Sequence, residues 1–148
     1  MSDQTDEGAA HAAPAEGVRA DVELRLPGDG AYASVLRATA AAIAARLEFT
    51  VDDIEDLRIA VGEAGALVLP EADPGSDLTT RFYLGRGTIT VEIAAGAVDE
   101  PAPDYDSFAW QVLTTLADGA EAASGDGTFR VRFTLTAHTA PGAAGTGL

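Results

Sequence analysis

The chain has 148 residues, 47% of them hydrophobic, and its 24 acidic residues against nine basic ones give a formal net charge of −15. That length suits one domain with its own core, and so acidic a surface argues against binding nucleic acid or anionic lipid, which requires clustered cations. The absence of cysteine excludes disulfides, thiol nucleophiles and cysteine-ligated metals. A basic protein is the natural partner for such a surface.

The two ends of the chain differ in composition from its middle. Residues 1–19 are acidic and alanine-rich without an apolar period, which predicts a disordered arm, and residues 139–148 predict a flexible tail. Residues 20–138 form the predicted domain. The only histidines are His11 in the predicted arm and His138 at the last position of the domain, where the flexible chain is expected to begin, so no metal site is expected. No signal pattern and no apolar run near the ~20 residues that cross a bilayer are present, which predicts a cytoplasmic protein without membrane contact.

The middle of the chain carries two clear hydrophobic periods. Alternation predicts five strands, over residues 21–26, 78–84, 89–93, 120–123 and 129–135. Apolar residues at steps of three and four predict three helices, over residues 31–47, 50–69 and 108–118. In the first, the apolar face is predicted from Tyr32, Val35, Leu36, Ile43 and Leu47, and its alanine-rich side is expected to be buried, with contact to a second subunit as the alternative. The order strand, helix, helix, two strands, helix, two strands predicts an α+β two-layer sandwich, in which the helices cover one face of a mostly antiparallel sheet.

The second predicted helix contains an anomaly. Thr50 is the predicted N-cap, and an inward face is predicted for Ile54, Leu57, Val61, Ala64 and Val68. Gly62 and Gly65, on either side of Glu63, each cost roughly 1 kcal/mol relative to alanine inside a helix. The two glycines therefore suggest close packing against the backbone there. On periodicity alone, Glu63 is a solvated helical residue, and no constellation of residues argues for catalysis.

The third predicted helix is capped by Ser107. Its inward face is predicted to hold Phe108, Val112, Leu113 and Leu116. Phe108 and Trp110 each have two interpretations, either core packing or an anchor that faces a partner.

Two stretches of the chain carry a family resemblance. The first is residues 56–64 (DLRIAVGEA), in the second predicted helix. The second is residues 107–118 (SFAWQVLTTLAD), in the third predicted helix, and it is followed along the chain by Gly127-Thr128-Phe129. From about Asp21 to Thr139 the chain resembles the RsbW and SpoIIAB anti-sigma factors of the Bergerat (GHKL) ATPase superfamily. The second stretch is most similar to the actinobacterial UsfX branch. The first is similar to the helix that carries the nucleotide-binding N-box.

The resemblance implies a function in transcription regulation. Such proteins hold a sigma factor away from RNA polymerase until a STAS-domain anti-anti-sigma protein captures them. Active members also use ATP and Mg²⁺ to phosphorylate a serine of that antagonist. Their N-box Glu, here Glu63, orients or deprotonates the nucleophile, and an Asn one helical turn later ligates Mg²⁺.

The chain departs from that pattern at the nucleotide site. Leu67 stands at the position of the Asn and cannot ligate Mg²⁺, which requires oxygen. Ala95 and Gly96 lie where the family has an adenine-binding Asp and glycines, and no carboxylate follows until Asp99. Residues 107–110 replace the glycine-rich lid. We therefore expect no cofactor, unless the degenerate site of Glu63, Leu67, Ala95 and Gly96 still binds ATP and Mg²⁺.

Three functions remain open at this stage. The first is a homodimeric, nucleotide-independent anti-sigma factor of a stress or developmental sigma factor. The second is an active serine protein kinase, in which Glu63 acts with Asp99 as a replacement ligand. The third is an orphan switch protein that binds only STAS partners or a small ligand. The resemblance implies partner contacts around Tyr32 and Arg37, and Trp110 is a further candidate.

Overall fold

The computed structural model describes residues 17–138, so the predicted tail over residues 139–148 and most of the predicted arm, including His11, lie outside the described residues. The elements follow the predicted order: β1 (Val22–Pro27), α1 (Ala33–Ala44), α2 (Val51–Val68), β2 (Asp77–Gly85), β3 (Thr88–Gly96), α3 (Phe108–Leu116), β4 (Gly119–Gly125) and β5 (Thr128–Thr136). Short 3-10 turns, Gly30–Tyr32 and Leu69–Glu71, precede α1 and follow α2.

The five strands form one sheet in the order β1-β2-β3-β5-β4, and every neighbouring pair is antiparallel. Alternation buries the inner residues of the central strands, among them Ile89, Val91 and Ile93 on β3. Helix α2 packs on β3 and β5, and it contacts both α1 and α3. The predicted α+β two-layer fold is therefore confirmed.

The open face of the sheet carries a row of charges in register. Glu23, Arg81, Glu92, Arg132 and Glu121 lie directly opposite one another across the five strands. Arg81 Nε lies 2.8 Å from Glu23 Oε2, and Arg81 Nη1 lies 3.9 Å from Glu92 Oε1. Because opposite charges that face each other on adjacent strands attract, this row of three glutamates and two arginines stabilises the pairing of the strands.

Helix α1 is shorter than predicted and buries a different strip. Leu36, Ala40 and Ala44 are buried, whereas Tyr32 and Val35 are exposed. Spaced four residues apart, the buried residues form one stripe, and the two alanines let α1 approach its neighbour closely. The expectation of an alanine-rich buried face is confirmed, while the inward position predicted from Tyr32 and Val35 is wrong.

Helix α3 corrects a second predicted face. Phe108 is 76% exposed, although the periodicity placed it inward, and Leu113 is the buried residue of the helix. At 100° per residue, Phe108 lies about 140° around the axis from Leu113, whereas Trp110 lies only about 60° away. Trp110 accordingly packs against the core. The inward face of α3 is set by Leu113 and not by its first aromatic residue.

Candidate functional site

The start of α2 is fixed by a capping box. Thr50 Oγ1 accepts a hydrogen bond from Asp53 N at 3.0 Å, and Asp53 Oδ2 accepts one from Thr50 N at 3.1 Å. These bonds satisfy amide groups that have no partner within the helix. The predicted N-cap at Thr50 is therefore confirmed. The capping box fixes the start of the helix that carries Glu63 and Leu67.

Asp53 also binds His138, which lies two residues after the end of β5. His138 Nδ1 lies 2.6 Å from Asp53 Oδ1, and the His138 backbone amide donates to Asp53 Oδ2 at 3.0 Å. The expectation that His138 lies in a free tail is wrong, because a carboxylate that is only 3% exposed anchors it. Burial favours a higher pKa for the Asp53 carboxyl, but hydrogen bonds from His138 and Thr50 bring that pKa below its usual value. The same hydrogen bond, together with the charge of Asp53, raises the pKa of His138.

Glu63 and Leu67 occupy one flank of α2, a helical turn apart. Glu63 is half-buried, and within residues 17–138 its side chain makes no hydrogen bond or ion pair. Leu67 is also half-buried and packs against the hydrophobic core. This flank therefore offers one carboxylate followed by hydrocarbon, where the resemblance implies a carboxylate followed by an amide oxygen.

Ala95 and Gly96 lie at the end of β3. Ala95 is buried and pairs with Leu78 on β2 and Phe129 on β5. A Cβ atom added to Gly96 would lie 3.4 Å from the Cβ atom of Ser76. Both positions are therefore packed against the loop and strands around them.

A carboxylate that the sequence did not reveal stands beside this strand end. Asp73 N donates to Gly96 O at 2.7 Å, and Asp73 Oδ2 accepts from Val98 N at 2.9 Å. Asp73 comes from the loop before β2, so only the sheet register brings it near Gly96. Its acidic, turn-rich surroundings gave no signal of this contact. Asp73 holds the segment that leaves β3.

The segment between β3 and α3 is tied to the β4–β5 turn. Ala97 N donates to Gly127 O at 2.8 Å, Gly127 N donates to Glu100 Oε2 at 3.1 Å, and Ser124 Oγ donates to Pro101 O. Ser107 Oγ then accepts from Trp110 N at 3.1 Å and caps α3, as predicted. Hydrogen bonds thus hold the segment between β3 and α3 at both of its ends.

The side chains at these positions do not fit a magnesium ion. Mg²⁺ takes oxygen ligands in near-octahedral geometry. Glu63 supplies a carboxylate, Leu67 supplies none, and the carboxylate of Asp73 is engaged by a backbone amide. Within residues 17–138, no group of three or more Asp, Glu or His residues is arranged to hold a metal ion. Asp99, the proposed replacement ligand, is exposed.

The predicted partner residues separate into two places. Tyr32 and Arg37 line one cavity between α1 and α2, together with Gly62 and Gly65 of α2. Trp110 belongs to α3, where its ring meets that of Tyr105 edge-on at a centroid distance of 5.0 Å. The structure therefore brings Tyr32 and Arg37 together and leaves Trp110 apart from them.

The chain is similar in sequence to proteins named serine-protein kinase RsbW. It is 41% identical over 101 residues to that of Halalkalibacterium halodurans, a match covering 68% of this chain and 59% of the relative. It is 44% identical over 76 residues to that of Bacillus velezensis and 32% identical over 76 residues to that of Bacillus subtilis, each covering 49% of this chain and 48% of the relative. The matches thus span about half the length of these curated relatives, and no family model matches the chain.

The fold has a counterpart among solved structures. A crystal structure of the RsbU and RsbW domains of a Mycobacterium tuberculosis protein superposes with a TM-score of 0.57 at 15% identity, over 78% of this chain and 32% of that one. At that identity the likeness concerns the fold alone. Among the helices between residues 17 and 138, none combines the length and apolarity needed to cross a bilayer.

Proposed function

Because this chain is a relative of the RsbW serine-protein kinases, we propose that it is an anti-sigma factor that acts by partner switching. It sequesters an alternative sigma factor of a stress or developmental response and releases it when a STAS-domain anti-anti-sigma protein binds instead. The observation that carries this proposal is the 41% identity over 101 residues, which include most of the described domain. The UsfX branch remains our prediction for its nearest relatives.

The charge of the chain supports this class of partner. A net charge of −15 complements a protein with a basic, DNA-facing surface and accelerates its association. Arg81 and Arg130 of the open sheet face, by contrast, form ion pairs with acidic neighbours on adjacent strands. We propose a cytoplasmic homodimer whose acidic surface receives the sigma factor, with Tyr32 and Arg37 at the contact.

We propose that sequestration does not depend on nucleotide. In phosphoryl transfer the protein contributes mainly positioning and charge neutralisation, so the loss of a metal ligand removes most of the catalytic power. Leu67 cannot replace that ligand, and the segment after β3 is tied down by Asp73 and Gly127. The protein therefore works by binding alone.

An active serine protein kinase is the second candidate. It is favoured by the retained Glu63 and by the name of the relatives, which are serine-protein kinases. This activity would require Asp99 to move toward Glu63 and bind the metal. The third candidate, an orphan switch that binds only STAS proteins or a small ligand, shares the fold and differs only in its partners.

The test is direct binding of the purified full chain to each purified sigma factor and STAS protein of its source organism. We expect a stable complex with one alternative sigma factor, which a STAS protein displaces. Arg37→Ala should weaken that complex, while Arg58→Ala, whose exposed side chain lies 3.7 Å from Glu55 on α2, serves as the matched control. Binding to STAS proteins alone would establish the orphan switch, and binding to neither class would refute the proposed function.

A further inference from the structure

A cavity of about 260 Å³ lies between α1 and α2. Its position on α2 is marked by Gly65, which lies about 160° around the helix axis from both Glu63 and Leu67. The cavity is therefore on the opposite flank of α2 from the nucleotide-site positions. Its walls are formed mainly by apolar side chains, Leu36, Val61, Leu69 and Leu78.

Gly65 lies beside this space, although no neighbouring atom requires a glycine at that position. The residue is buried, yet a Cβ atom built on it would meet no atom of a neighbouring element within 4 Å. An alanine would fit there and would favour the helix more than glycine does. At Gly62, by contrast, a Cβ atom would already contact the side chain of Arg37, with Cδ at 3.5 Å. That distance is an ordinary van der Waals contact, so the close packing expected at the two glycines is not found, and Gly65 opens the cavity.

The rim of the cavity adds a charge to the apolar walls. Arg37 is half-buried, with Nη1 3.7 Å from the position of a Cβ atom on Gly62. Within residues 17–138, the Arg37 side chain forms no hydrogen bond or ion pair. Tyr32 stands on the same rim, and Asp29 Oδ1 accepts a hydrogen bond from Ala31 N at 2.9 Å. A negatively charged ligand at this rim would therefore be repelled by the carboxylate of Asp29 and attracted by the guanidinium of Arg37.

We propose that this cavity binds a small apolar monocarboxylate, with its hydrocarbon body between α1 and α2 and its carboxylate on Arg37. An apolar cavity of roughly 150 Å³ already accepts benzene, so this larger space has room for an aromatic ring with a short side chain. A guanidinium binds a carboxylate through two parallel hydrogen bonds, which fixes the orientation of the ligand. The carboxylate end of the ligand thus lies at the rim of the cavity, beside Tyr32.

A regulatory role follows and rests on the proposed function. A ligand at Arg37 covers the rim where we place the sigma factor contact, so the two would compete. Binding of the ligand itself does not depend on that role and can be measured without any protein partner.

The test uses 3-phenylpropanoate as probe and 3-phenylpropanol as its uncharged match, each titrated into the full chain. We expect the carboxylate to shift the backbone amide resonances of Gly62 and Gly65. The alcohol should bind at least about tenfold more weakly than the carboxylate. Gly65→Leu should abolish binding by filling the space. Arg37→Gln should weaken carboxylate binding to the level of the alcohol, and Arg58→Gln should leave it unchanged.

Several results would overturn the proposal. Unmoved Gly62 and Gly65 resonances at millimolar carboxylate would show that no such site exists. Equal binding of acid and alcohol would remove the role of Arg37, and full binding by a folded Gly65→Leu protein would place the ligand elsewhere. If the probes do not bind but Gly65→Leu loses the sigma factor, the cavity receives a side chain of that partner and the small-ligand proposal is wrong. Failure of the wild type to bind any sigma factor would instead refute the proposed function alone.

Discussion

Leu67 puts a branched hydrocarbon one turn after Glu63, at the position of an oxygen ligand in the resembled family. We expect calorimetric titration of the wild type with ATP and Mg²⁺ to give no Mg²⁺-dependent heat, because one carboxylate does not satisfy the ion. Leu67→Asn, titrated beside it, restores one oxygen and tests whether the rest of the site persists. Micromolar, Mg²⁺-dependent binding by the wild type would contradict this account of the site.

Phe108 and Leu113 belong to the same helix but differ in exposure, at 76% and 0%. We expect Phe108→Ala to change the free energy of unfolding by about 0.5 kcal/mol or less, since the ring has little contact to lose. Leu113→Ala should cost about 2–5 kcal/mol by leaving a cavity in the core. Urea denaturation of both variants measures the difference, and comparable losses would show that Phe108 points inward after all.

His138 is 80% exposed and is bound to Asp53, which predicts a pH-dependent contribution to stability. Because its pKa is raised, the contribution is fully present below the unfolded value of about 6.5 and is lost as pH rises through the folded value. For Asp53, whose pKa is lowered, the contribution is present above its usual 3.8 and is lost as pH falls through the folded value.

The measurement is the free energy of unfolding of the wild type and of His138→Ala as a function of pH. The gap between the two proteins should narrow as pH rises above about 6.5. Parallel profiles across this range would show that the charge of His138 contributes nothing.

At the scale of elements, periodicity predicted which segments form helices and strands because each buries one face. Periodicity gave the wrong inward face where small residues are buried in place of large ones. In α1, for example, Ala40 is buried and Val35 is exposed. Periodicity also gave a weak signal for β4, whose Gly119–Gly125 sequence of small residues becomes a strand by pairing with β5. Local patterns fix the period of an element, and only tertiary packing fixes its inward face.

The candidate site was predictable only where the family motif lies along one helix. Glu63 and Leu67 share α2, and only the family resemblance of residues 56–64 pointed to them. The contacts of Asp73 with Val98 and of His138 with Asp53 join residues 25 and 85 positions apart, so no local pattern announces them. The cavity beside Gly65 depends in the same way on how α1 docks on α2.

Gly65 supplies a prediction for α2 as an element. We expect Gly65→Ala to stabilise the protein by about 0.5–1 kcal/mol, because alanine favours the helix and its methyl group meets no neighbouring element. Gly28→Ala is the contrasting control, since a Cβ atom there would lie 2.5 Å from Ser76 O and must destabilise the turn. Chemical denaturation decides the sign, and a loss of stability in Gly65→Ala would mean that the space is already filled.

At the scale of the molecule, the charges divide between the sheet and the rest of the surface. Arg81 and Arg130 lie within 4 Å of Glu92 on the open face, at 3.9 and 3.6 Å. The acidic excess therefore remains on other surfaces, where it gives the protein its long-range field. A basic partner is attracted by that field, and the attraction falls with ionic strength.

The central claim is that the chain captures a sigma factor by binding alone. The most direct measurement is the affinity of the full chain for its sigma factor, first in nucleotide-free buffer and then with saturating ATP and Mg²⁺. We expect the same dissociation constant in both, because the residues at the nucleotide site do not fit the metal ion. A complex that forms only with ATP and Mg²⁺ would contradict the claim and establish a working nucleotide site.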